Sequence, residues 1–304
     1  MANEQPEKRR GYYGLPVLKR PHWGWEIVLY FWGGGIAVGA YTLAALADLL
    51  GDEQDAPAVE AGRALALPLM LISPILLIKD LGRPEKFYNM LRILKLKSPM
   101  SVGSWVLSIF GGFAGLSMVL QLFFKGESWR WARQLAGAAG APFALLVGSY
   151  TGVLLAATAI PLWFKNRLLW GPVFLASAFS TGIAAVQGLL TLRGRGTPEA
   201  HARLEQAHTA AVVVEGALLG ASLVQLGRTG DLLTKGRWST LFWPGVVGLG
   251  LLAPLLLGRG HPGRSRRLLS ALCTLLGGLA LRTCLVYGGR TSADDPQAYF
   301  DLTS

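Results

Sequence analysis

Chemistry-bearing side chains are scarce in this sequence. Two cysteines, Cys273 and Cys284, and four histidines, His22, His201, His208 and His261, are all that its 304 residues contain. Two thiols cannot ligate an iron–sulfur cluster, which takes four. They lie about three turns apart in one apolar segment, so one straight helix cannot join them as a disulfide or metal pair. A b-type haem needs axial histidines in pairs inside helices; here His201 and His261 fall in loops and the other two at the edges of apolar runs, so no haem is expected. No GxxxxGK[ST] phosphate loop occurs. Charge is scarce too: 15% of residues are charged and 52% hydrophobic, which excludes a disordered chain. The polar stretch 1–20 lacks the apolar core of a cleavable signal peptide, so the first apolar run is expected to act as the insertion signal.

Long uncharged runs are what the chain has instead. They predict an all-α, polytopic integral membrane protein with eight spans, roughly 25–48, 62–79, 100–124, 142–164, 170–192, 208–226, 239–257 and 267–288. A polar segment 1–24 precedes a membrane domain 25–290, and a polar tail 291–304 follows it. An even number of spans puts both ends on one face. More of the 29 Lys and Arg fall on that face than on the other. The positive-inside rule makes it cytoplasmic, although a docking surface for an acidic redox partner would give the same bias. The net charge of +11 points to lipid headgroups or an acidic partner rather than nucleic acid. Glycines four apart, Gly35 and Gly39, Gly111 and Gly115, Gly148 and Gly152, Gly216 and Gly220, predict close helix contacts.

Ionisable groups inside a bilayer cost several kcal/mol, so the few present are candidates for function. The first span opens on Trp23 and Trp25 at interfacial positions, then places Glu26 and Tyr30 four residues apart on one helix face. Asp48 closes that span, His208 opens the sixth, and Arg282 lies in the eighth. Glu215 sits mid-span, flanked by Val212–Val214 and Gly216–Leu219. It reads either as a functional carboxyl or as half of a structural ion pair with Arg282. Tyr150, between Ser149 and Thr151-Gly152, buries a phenol whose hydroxyl needs a partner, either a quinone carbonyl or a backbone carbonyl. The loop from Lys79 to Pro99 mixes Asp80, Arg83, Lys86 and Phe87 with turn formers. It reads as a positive-inside loop with Ser98 capping the next helix and Pro99 at its first position, and its length also suits a docking site.

These residues carry a resemblance over about 12–288 to the NrfD/PsrC-like family, the membrane subunits of polysulfide reductase and its relatives. Its carriers are Tyr13-Gly14-Leu15-Pro16; Trp23, Trp25, Tyr30-Phe31, Gly35 and Gly39; Gly82-Arg83-Pro84-Glu85-Lys86-Phe87; and Ser98-Pro99-Met100-Ser101-Val102-Gly103-Ser104-Trp105. Ser149-Tyr150-Thr151-Gly152, Pro161-Leu162-Trp163 and Gly278 to Arg282 complete it. The resemblance implies a haem-free eight-helix protein of two four-helix bundles in the bacterial inner membrane. It implies menaquinone or ubiquinone as cofactor and a four-cluster ferredoxin-like iron–sulfur subunit as partner, serving a molybdenum or tungsten catalytic subunit of polysulfide reductase or formate dehydrogenase type. Tyr150 matches the family tyrosine that hydrogen-bonds the quinone. Tyr30 and Ile27 stand where the polysulfide reductase subunit has a histidine and an asparagine. The expected quinone site is Tyr30, Tyr150, Glu26, His22 and Trp25; the expected proton path is Glu215, Arg282, His208 and Asp48; the expected docking residues are Asp80, Arg83, Lys86 and Phe87. The rival readings are a secondary transporter, for which no matching halves are found, and a purely structural anchor.

Overall fold

In the computed structural model the described residues are 18, 19, 21–260 and 262–294. The Tyr13–Pro16 motif, His261 and the tail from 295 onward lie outside them. Eight helices long and apolar enough to cross a membrane are present: α1 Trp25–Leu50, α2 Ala56–Asp80, α3 Pro99–Phe123, α4 Arg130–Ala156, α5 Trp170–Arg193, α6 Pro198–Leu226, α7 Ser239–Leu257 and α8 Arg264–Ala293. Among the described residues there is no strand.

The bounds of the fourth and sixth spans move most. The fourth helix starts at Arg130, not near 142, and stops at Ala156; Pro161–Lys165 is a separate short helix. Pro161 holds the preceding Ile160 in an extended conformation, which ends the helical run before it. The sixth helix starts at Pro198, not near 208, with the Thr197 side chain accepting from the Ala200 N–H. Hydropathy sees only the hydrocarbon-crossing part of a helix, whereas a Ser/Thr cap followed by proline marks its true start. The consequence is that His201 lies on α6 and not in a loop.

The helices form two four-helix groups. In the first, α1 packs on α2 and α4, and α3 completes the ring against α2 and α4. In the second, α5 packs on α6 and α8, and α7 closes it against α6 and α8. The groups meet where α5 and α8 reach α1 and where α5 reaches α4. Helices α1, α5 and α8 are therefore the buried ones, while α2, α3, α6 and α7 turn side chains such as Leu71, Ile75, Phe123 and Val224 outward. Lipid rather than water suits that outer surface.

Close approach of α1 and α5 depends on glycine. A Cβ at Gly39 would overlap the Ala178 backbone, and one at Gly182 would overlap the Gly39 and Ala40 backbone. Gly148 and Gly152 are likewise tight, but Gly111 and Gly220 have nothing within 4 Å of a built Cβ, so those two are not contact glycines. Gly182→Ala is expected to lower stability by about 1–3 kcal/mol through overpacking, with Gly111→Ala neutral. Equal thermal midpoints for both variants in detergent would contradict the crossing.

The seventh span departs from a regular helix. Residues Phe242–Leu252 are π-helical. Pro244 removes a backbone donor there, and neighbouring glycines let the widened turn lie against α8, where Gly250 meets Gly277. Composition alone does not announce such a register.

Candidate functional site

The start of α1 and the end of α2 build one cluster on the face where α8 also ends. Lys79 Nζ stands 3.6 Å from Glu26 Oε1 and 4.3 Å above the Trp25 ring. Asp80 faces His22, Glu26 and the Gly24 N–H. Trp23 stacks on Trp163 with ring centroids 5.0 Å apart, and Arg290 Nη1 donates to the Trp23 carbonyl at 3.1 Å, which fixes the approach to α1.

Tyr30 follows one turn deeper and is 4% exposed. Among the described residues no hydrogen bond reaches its hydroxyl, and Tyr150 of α4 lies within electrostatic reach. The Tyr150 hydroxyl donates to the Pro99 carbonyl at 2.5 Å, and its ring lies against Gly103, where a Cβ would overlap it. Of the two partners the sequence left open for Tyr150, the backbone carbonyl is the one observed. Trp105, in the same motif, has a buried indole N–H without a partner among the described residues. The structure thus brings His22, Trp25, Glu26, Tyr30 and Tyr150 to one end of the first group. It adds Lys79, which sequence reasoning treated only as part of a loop.

The following loop is an exposed surface. Phe87 is 42% exposed and meets Tyr88 edge-on at 6.4 Å. Ile93, Leu94 and Leu96 are exposed beside Arg83, Lys86, Arg92, Lys95 and Lys97. The loop is pinned rather than loose: Ser98 caps α3, and Ser101 Oγ joins the Lys95 N–H to the Ile93 carbonyl. Asp80, grouped with this loop from the sequence, turns toward α1 instead.

The second polar group lies in the α5–α8 bundle. Ser180 Oγ donates to Glu215 Oε2, and one turn away Arg282 Nη1 donates to Ser177 Oγ at 2.8 Å. Arg282 also donates to the Gly278 carbonyl at 2.9 Å and, through Nε, to the Phe31 carbonyl of α1 at 3.2 Å, while Nη2 has no partner among the described residues. Glu215 and Arg282 are therefore joined through two serines, with no direct ion pair among the described residues. His208 Nε2 meets Thr274 Oγ1 at 3.1 Å. Asp48 does not belong here. It pairs with Arg63 in the first bundle on the far face, where Arg63 also donates to the Arg133 carbonyl at 3.2 Å. Arg63, 3% exposed, was missed because the sequence places it at a span edge.

No group of three or more His, Cys, Asp or Glu able to hold a metal occurs among the described residues. Cys273 and Cys284 are free and buried. The first site gathers aromatic and titratable side chains at one end of its group, and the second places a carboxyl, a guanidinium and an imidazole inside the other.

A family model described as Polysulphide reductase, NrfD matches residues 18–293. The chain is 31% identical to the C component of the polysulfide reductase of Wolinella succinogenes, over 88% of its own length and 94% of that protein. It is 27% identical to protein NrfD of Escherichia coli, covering 88% and 95% of the two proteins. It is 23% identical to the C component of the selenate reductase of Mesobacillus selenatarsenatis, covering 87% and 73%. With eight apolar helices, these matches make it a multi-pass protein of the bacterial inner membrane. From residue 18 to residue 293 the chain belongs to the polysulphide reductase NrfD family.

Proposed function

We propose that this chain is the quinone-reactive membrane subunit of a molybdenum or tungsten oxidoreductase complex. It passes electrons between menaquinone or ubiquinone and a four-cluster ferredoxin-like iron–sulfur subunit. Two relatives are named as the C components of polysulfide and selenate reductases, which supports membership of such a complex. The observation that carries the quinone reading is the buried Tyr30 ring beside Tyr150 at the end of the chain's aromatic cluster, with no hydrogen bond to its hydroxyl among the described residues. A buried phenol without a partner is costly, and a carbonyl ligand would supply one.

The residues fit a quinone headgroup. Tyr30 would donate to one of its carbonyls, Tyr150 would donate to the other on turning its single O–H away from the Pro99 carbonyl, and Trp25 would flank the ring. Bound there, the quinone supplies two-electron, two-proton redox chemistry. Glu26 exchanges protons with water at the membrane face, held near Lys79 so that its charge is balanced. Asp80 and His22 extend that polar edge outward. The Arg83–Phe87 loop beside it offers cations and an aromatic side chain to an acidic partner surface, and Glu215, Arg282 and His208 belong to the proton side of the same chemistry.

Arg83→Glu combined with Lys86→Glu is expected to weaken capture of the iron–sulfur subunit about tenfold through charge reversal at the contact, without changing the thermal midpoint of the isolated chain. Pull-down against the partner at fixed salt measures this; undiminished capture would remove the loop from the docking surface. Quinone-linked against dye-linked turnover tests the quinone reading itself.

A further inference from the structure

The polar face of α6 does not stop at His208. His201 and Glu205 continue it toward the far side at seven and three residues' distance. There they line a cleft of about 530 Å³ between the start of α6 and the turn that joins α7 to α8, ample room for water. The two side chains are 7% and 8% exposed. Among the described residues each keeps one polar atom without a partner, His201 Nδ1 and Glu205 Oε1.

Their other atoms are fixed. His201 Nε2 lies 3.1 Å from the Arg195 carbonyl, which can only accept, so Nε2 carries the hydrogen and Nδ1 is a free lone pair. Glu205 Oε2 accepts from Gln187 Nε2 at 2.6 Å. Thr274 Oγ1 gives its proton to the Ser270 carbonyl and so accepts from His208 Nε2, which leaves His208 Nδ1 bare as well. Three proton acceptors thus follow one another along the helix. Gly258 faces Glu205 Oε1 from the turn, and a Cβ there would overlap that oxygen. Its missing side chain leaves room for the carboxylate at the wall of the cleft.

We propose that this cleft is a proton inlet on the face opposite the aromatic cluster: His201 and Glu205 take protons from its water and pass them along α6 through His208 toward Glu215. Only protons move. A hydronium ion in the cleft breaks one O–H bond and leaves as water, its proton forming an O–H bond at Glu205 Oε1, which breaks again as the proton passes to the His208 Nδ1 lone pair. From His208 to Glu215 is two helical turns, about 10 Å, which water must bridge. Arg267 of α8 is the charged group facing His201. Gln187 of α5 and Ser270 and Thr274 of α8 are neutral, Arg195 is paired with Glu60, and Arg203 with Asp52 and Asp55.

The inlet rests on the quinone reading for what consumes or releases its protons, not for its geometry. The test therefore has two parts. In the assembled complex reconstituted into liposomes, proton uptake from the far side per electron transferred is expected to fall at least about fivefold in Glu205→Gln and in Gly258→Val. In the purified protein, an infrared difference spectrum on acidification in D₂O is expected to show a carboxyl band that is absent in Glu205→Gln and forms about tenfold more slowly in Gly258→Val. Uptake unchanged in both variants, or uptake that follows sodium concentration rather than pH, overturns the proposal. So does a carboxyl band unaffected by either substitution. If Tyr150→Phe leaves quinone-linked turnover intact, the quinone reading fails while the infrared result still decides the inlet.

Discussion

Quinone-linked turnover of the assembled complex is expected to fall about tenfold when Tyr150 or Tyr30 is replaced by Phe, while turnover with an artificial dye stays unchanged. Tenfold corresponds to about 1.4 kcal/mol, the size of one hydrogen bond to a ligand. The two tyrosines separate binding from structure. Tyr150 already donates to the Pro99 carbonyl and so fastens α4 to the start of α3. Its loss therefore costs some stability as well. Tyr30 has no hydrogen-bond partner among the described residues, so Tyr30→Phe breaks no hydrogen bond among them. Its thermal midpoint is expected to hold or rise while turnover drops. A drop in midpoint without a change in turnover would make Tyr30 a packing residue.

Arg282→Met is expected to cost about 3–5 kcal/mol, because removing one member of a buried charged network leaves the other uncompensated. The guanidinium is fully buried and ties α8 to α1 and α5 through the Phe31 carbonyl and Ser177. Much of this variant should be absent from the membrane fraction. Adding Glu215→Gln neutralises the stranded carboxyl and is expected to restore part of the loss, since groups joined in one network couple by about 0.5–3 kcal/mol. The double variant compared with both single ones, by thermal midpoint in detergent, measures that coupling. Strict additivity would mean that the Ser177–Ser180 turn does not connect the two charges.

The eight spans were legible because a continuous apolar run is a physical requirement of crossing hydrocarbon. Their ends were not. Pro198 and Arg130 begin helices in polar sequence, which hydropathy cannot tell from loop. That misplacement hid the row His201, Glu205, His208, Val212, Glu215, whose spacing of about one turn becomes visible once α6 is started at its Thr197 cap. The aromatic cluster was legible at the level of residues, because Glu26 and Tyr30 share a helix face. Lys79 and Asp80 could join it only through the packing of α2 on α1, a tertiary fact. Gly35 and Gly39 announced a close crossing correctly, but Gly111 and Gly220 carry the same spacing and face open space, so spacing identifies a helix face and not its neighbour. The π-helical register of α7 had a proline as its one signal, and prolines in α2 and α4 produce no such register.

The central claim is that a quinone sits between α1 and α4 at the end where Glu26 and Tyr30 lie. Photolabelling of the purified complex with an azido-quinone, followed by peptide mapping, tests it most directly. The label is expected on peptides containing Tyr30 or Tyr150 and to be displaced by excess unlabelled quinone. Label spread over the lipid-facing helices α3 and α7 and insensitive to competitor would contradict the account.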